Sequence, residues 1–156
     1  MPPLLAGILG LLVALPLAAP AAAQQAPTAP MASPAAPPIG LELNRLEPRP
    51  DLSPPGCRAW LLLRNPGEAA LDPLRLDLLL FGKDGVIGRR LALDLGPLPG
   101  AKTMARIFDL PGLPCDGIGS VLLNDLMACG PTPEGRSACL PRLVTTSRVE
   151  GVPFDK

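Results

Sequence analysis

The chain of 156 residues has no histidine and no tyrosine, and its aromatic side chains are only four: Trp60, Phe81, Phe108 and Phe154. Without histidine there is no Ser-His-Asp or Cys-His nucleophile pair, no HExxH zinc site and no imidazole ligand for copper or haem. Net charge is missing too, since 14 basic residues balance 14 acidic ones. Nucleic-acid binding runs through phosphate neutralisation by clustered Lys and Arg, so no nucleic-acid partner is expected. The four methionines are scattered and offer no soft-metal cluster for Cu(I). These absences point away from enzymes and cofactors and toward a binding or structural role.

What is present is unevenly spread. Residues 1–41 carry no charge, and all 28 charged side chains fall from Glu42 onward. The run from Leu4 to Ala23 is apolar, is broken by Pro16 and Pro20, and ends in small residues. That pattern predicts an export signal over residues 1–23, cut after Ala23, with an uncleaved N-terminal anchor as the alternative. No cysteine stands near the cut, which excludes a lipoprotein. Residues 24–38 are ten-fifteenths Ala or Pro and read as a disordered spacer that leans toward polyproline II. The folded domain is expected over 39–149, with a C-terminal tail over 150–156.

Within 39–149 no window keeps a helical apolar period for three turns without Pro or Gly. Short runs of period two recur between turn signals instead. Ile39, Leu41 and Leu43 alternate with polar or small residues up to Pro48. Cys57–Arg64 ends at Asn65-Pro66-Gly67, where Pro presets one dihedral and Gly is expected to take the positive one. Leu74, Leu76, Leu78 and Leu80 mark the clearest strand, and Asp84-Gly85 after it is a hairpin signal. Strands over 86–95, 102–108, 118–124 and 140–149 complete seven, with 122–127 as a candidate helical turn. The spacing predicts an all-β, immunoglobulin-like antiparallel sandwich of about seven strands, stapled by disulfides.

Leu61-Leu62-Leu63 and Leu78-Leu79-Leu80-Phe81 place bulky groups on both sides of a strand. Something must cover the second side: the chain's own loops or its C-terminal segment, or a partner seated on a patch around Leu79 and Phe81.

The four cysteines are Cys57, Cys115, Cys129 and Cys139. An even count in an exported chain predicts a disulfide framework with three conceivable pairings. Cys129 with Cys139 is favoured, because nine flexible residues separate them, which leaves Cys57 with Cys115. The chain-entropy estimate gives about 2.8 kcal/mol for the short loop and about 4.2 kcal/mol for the long one. No two cysteines are close enough for the paired CxxC knuckles of structural zinc. Nor is there a CxxC redox pair; Arg58 beside Cys57 reads as a solvated strand residue.

Asp109, Asp116 and Asp125 are the carboxylates that could converge as a calcium site or an acid/base pair. No DxDxDG loop is present, and each stands where Asp commonly accepts backbone hydrogen bonds in turns. Trp60, three residues after Cys57, is expected in the core beside the bridge. Arg89-Arg90 reads as strand charge.

The segments 39–44 (IGLELN), 56–59 (GCRA), 84–90 (DGVIGRR), 108–110 (FDL), 115–120 (CDGIGS), Asn124-Asp125 and Cys139-Leu140 together resemble a family of small exported bacterial proteins, labelled Tat pathway signal sequence domain proteins. The resemblance covers roughly residues 39–147 and implies export and a small β domain; it brings no activity, ligand or catalytic residue with it. No twin Arg precedes the apolar run here, which sets an expectation of Sec export or of a start upstream of Met1. The expectation is therefore a periplasmic or secreted, non-catalytic binding or structural module, without cofactor or metal. Its partner would be an envelope protein. An accessory subunit docking through Leu79 and Phe81, and an Asp-based hydrolase or calcium-binding domain, are the alternatives.

Overall fold

The computed structural model describes residues 36–156. The expected leader over 1–23 and the spacer up to residue 35 lie outside the described residues. Eight strands follow in order: β1 (Ile39–Arg49), β2 (Gly56–Asn65), β3 (Leu74–Gly82), β4 (Ile87–Asp94), β5 (Lys102–Pro111), β6 (Ile118–Cys129), β7 (Leu143–Ser147) and β8 (Phe154–Asp155). One short helix, α1 (Pro133–Cys139), stands between β6 and β7.

The strands form two four-stranded sheets, ordered β5-β2-β1-β7 (sheet 1) and β4-β3-β6-β8 (sheet 2). Period-two alternation decides what lies between them. Ile39, Leu41, Leu43, Leu61 and Leu63 from sheet 1 meet Leu74, Leu76, Leu78, Leu80, Val121 and Leu123 from sheet 2, all buried. The interior is mostly leucine, with Phe154 its one buried ring. This is the all-β sandwich that the alternation predicted.

The seventh strand departs from the immunoglobulin order, in which it would lie beside the sixth. Here β7 crosses to sheet 1 and pairs in parallel with β1, Ile39 opposite Leu143. The place beside β6 is taken by β8, also parallel, with Val121 opposite Phe154. The last residues are therefore part of the fold rather than a tail: Val152 and Phe154 are buried, and Lys156 Nζ donates to the Leu143 carbonyl at 2.6 Å.

Local chemistry explains most of the boundaries. At the β3–β4 hairpin Gly85 takes a φ of 77°, and the Val86 amide donates to Asp84 Oδ1 at 3.1 Å. β1 runs through Pro48, where a stop was expected. β7 pairs only with residues 39–43, so one side of β1 is free at Pro48 and its missing N–H breaks no ladder. After β2 the turn is made by a side chain rather than by Gly67. Asn65 Oδ1 accepts from the Gly67 amide at 3.1 Å, and its Nδ2 donates to the Ala69, Leu98 and Pro99 carbonyls. The segment 140–149, expected as strand throughout, begins with the turn Leu140–Arg142 and is strand only from Leu143. The flexible loop expected between Cys129 and Cys139 holds α1, opened by Pro133.

Two disulfides close the ends. Cys57 of β2 joins Cys115, just ahead of β6, and so ties sheet 1 to sheet 2 with 4.9 Å between Cα atoms. Cys129, at the end of β6, joins Cys139 of α1 with 6.4 Å between Cα atoms. These are the pairings that loop length favoured. Among the described residues no helix is long and apolar enough to cross a membrane.

Candidate functional site

Both sheets keep a second, outward face, and the candidate surfaces lie there. On sheet 2 the rows across β4, β3 and β6 are Ile87–Phe81–Ser120, Arg90–Leu79–Leu122 and Ala92–Asp77–Asp125. Leu79 and Phe81 therefore share a face, both half-buried, beside Leu122. At the hairpin end of the patch Val86 is 62% and Ile87 53% exposed. Leu79 and Phe81 are only partly withdrawn from water between their strand neighbours, and the hairpin side chains are open.

Asp77 belongs to the same face yet is only 1% exposed. The cause is irregular pairing: Asp77 faces Asp125 while Leu78 faces Leu123, so Asn124 is an extra residue in β6. Asn124 Nδ2 donates to Asp77 Oδ2 at 2.5 Å, and Arg90 Nε donates to Oδ1 at 2.7 Å. The Arg90 guanidinium, and after it the Asn124 amide, hold this carboxyl below its ordinary range, against the desolvation that pushes it up. Arg89-Arg90 is thus more than solvated strand charge, since Arg89 also donates to the Pro111 carbonyl at 2.9 Å.

On sheet 1 the outward rows across β5, β2, β1 and β7 are Thr103–Arg64–Gly40–Val144 and Ala105–Leu62–Glu42–Thr146; Ile107–Trp60–Arg45 and Asp109–Arg58–Glu47 follow across β5, β2 and β1. Trp60 is on this outer face, half-buried, and not in the core where it was expected. Inward positions of β2 alternate through Cys57, Ala59, Leu61 and Leu63, which leaves Trp60 outward; its Nε1 donates to Glu47 Oε2 at 3.1 Å. Below it Arg58 forks onto Asp109 at 2.6 and 2.9 Å, and Arg49 pairs with Asp51. Arg49 pulls the Asp51 carboxyl down to about 2.

The three candidate carboxylates are not brought together. Asp109 lies on β5 in the pair with Arg58, Asp116 on the turn after Cys115, and Asp125 further along β6, bonded by Arg136 at 2.7 Å. Among the described residues no three carboxylate or thiolate side chains group as a metal site. An open cleft of about 570 Å³ beside α1 has Met127, Pro131, Leu140 and Arg136 in its wall, but the guanidinium is already paired with Asp125.

Asp77 and Arg64 are the residues that reading the sequence passed over. For Asp77 a signal was there: a lone Asp, away from any turn residue, in the most apolar strand of the chain. Arg64 carried none. Two closed disulfides fit a domain that matures outside the reducing cytosol. Comparison with protein-family models, with curated proteins and with solved structures finds no match.

Proposed function

We propose that this chain is an exported, non-catalytic binding module of the periplasm or envelope, whose partner is a protein seated on the outer face of sheet 2. The observation that carries this reading is the apolar group Leu79, Phe81, Leu122 and Ile87 on one side of a sheet whose other side is separately filled by Leu76, Leu78 and Leu80. An apolar centre with charged neighbours, here the Arg90–Asp77 and Arg75–Asp94 pairs, is the usual anatomy of a protein interface. The export-signal pattern, the two bridges and the resemblance to small exported β proteins support the compartment.

Crosslinking in the native cell tests it, with wild type set against Phe81→Glu combined with Ile87→Glu. Both positions face outward, so the melting temperature of the double variant should stay within a few degrees of wild type. The expected result is a discrete protein adduct that the double variant loses. An adduct pattern identical in wild type and variant would remove this face from consideration.

A further inference from the structure

We propose that the outer face of sheet 1 is a second binding site, one for an extended peptide segment carrying an acidic side chain followed, at alternate positions, by apolar ones. This face is opposite the one assigned to the protein partner, and neither site depends on the other.

Among the described residues Arg64 is the only arginine that has neither a hydrogen bond nor an ion pair, whereas Arg45, Arg49, Arg58 and Arg148 on the same face each have a carboxylate. An exposed guanidinium is a rigid fork that matches a carboxylate, so the complement of this surface is an acid.

Arg64 also sits in a groove of about 310 Å³ rather than on a flat surface. The groove is walled by Thr103, Thr146 and Val144, with Leu62 beside them, and the Glu42–Arg148 pair closes its rim at 3.4 Å. Gly40 leaves the space next to the arginine stem open, since a Cβ there would stand 3.3 Å from the Arg64 Cβ. The two threonine hydroxyls add hydrogen-bonding capacity at either side.

Shape then selects the ligand. Arg64, Leu62 and Trp60 alternate along β2 and face the same way, a span of about 13 Å at strand rise. Ala105 and Ile107, the latter 46% exposed, widen the apolar part. A small free acid reaches only one end of such a strip. An extended peptide with its acid at one position and apolar side chains two and four residues on has the same spacing.

The face carries its own reporter, because Trp60 is the sole tryptophan and there is no tyrosine. The probes are acetyl-Glu-Ser-Leu-Ser-Leu-amide, its Gln analogue and N-acetyl-leucine, titrated into the wild-type chain while Trp60 emission is followed. The Glu peptide should shift the emission saturably, and the Gln analogue should bind at least about tenfold more weakly. Arg64→Gln, which breaks no hydrogen bond or ion pair among the described residues, should keep the melting temperature and erase the difference between the two peptides. Arg64→Lys should keep part of it. No saturable change up to millimolar peptide, or a Glu-over-Gln preference that survives in Arg64→Gln, would overturn the proposal. N-acetyl-leucine binding as tightly as the Glu peptide would overturn the peptide in favour of a small free acid.

Discussion

On the outer face of sheet 1 arginines and carboxylates stand in regular cross-strand rows and remain partly in water, as Arg58 and Asp109 do at 27% and 36% exposure. On sheet 2 one carboxylate, Asp77, is withdrawn from water almost completely and held by two neighbours. The sequences of the two faces do not announce this difference. It comes from β6, where register shifts add residues to the strand and tilt Asn124 over the face, while the ladder of β2 with β5 runs without a shift. A pair left in water contributes little, whereas a buried carboxylate depends on every partner it has.

The largest expected effect comes from the bridge that joins the two sheets. Cys57→Ser with Cys115→Ser should lower stability by about 4 kcal/mol in urea titration, and Cys129→Ser with Cys139→Ser by about 3 kcal/mol. If the order were reversed, the sheets would be held in register by α1 rather than by the bridge between them.

Next in size is the contrast between the two faces themselves. Arg90→Met keeps the aliphatic stem but strands the Asp77 carboxylate, and the melting temperature should fall by roughly 5 to 10 °C. Arg58→Met should cost no more than about 3 °C, because water can replace the lost partner of Asp109. Asp77→Leu should come out near wild type, since the arginine and amide it releases lie at the surface. Equal losses for Arg90→Met and Arg58→Met would erase the distinction between the faces.

The smallest effect is in acid. Asp77 has a folded-state value below its ordinary 3.8, so its stabilisation is complete above that value and is lost as pH falls through the lower one. Melting temperature measured from pH 6 to 2 should therefore drop below about pH 4, and Asp77→Asn should flatten that drop. Asp51→Asn should flatten it less: although Arg49 holds Asp51 down to about 2, the side chain is 60% exposed and solvent competes for the pair. A larger flattening from Asp51→Asn would place the acid-sensitive charge on sheet 1.

Much of the fold was legible along the chain, and the exceptions have particular causes. Leu74 through Leu80 alternate over a strand whose partners leave that period intact on the inner side, so β3 could be read directly. Along β6 the buried residues are Ile118, Val121, Leu123, Leu126 and Cys129, at spacings of three and two. Bulges replace the strand period there with one that imitates a helix, which is why 122–127 looked like a helical turn. Trp60 was misplaced because its proximity to Cys57 suggested the core, whereas parity along β2 put it outside. Of the candidate sites, the cysteines could be paired by loop length alone. The free fork of Arg64 could not be seen at all, because a missing partner is a property of four adjacent strands and not of any one segment.

By itself the sequence determined what the protein cannot do with imidazole chemistry, where its strands and its β3–β4 hairpin lie, and which cysteines can reach each other most easily. Those are matters of composition, of a period of two residues and of short loops, all local to the chain. Only the tertiary structure decided which side of each strand is inside, that β7 joins sheet 1 while β8 takes the place beside β6, that Asp77 is buried and that Arg64 has no partner among the described residues. The reason is that register, bulges and facing charges arise between strands tens of residues apart, and burial exists only once those strands have met.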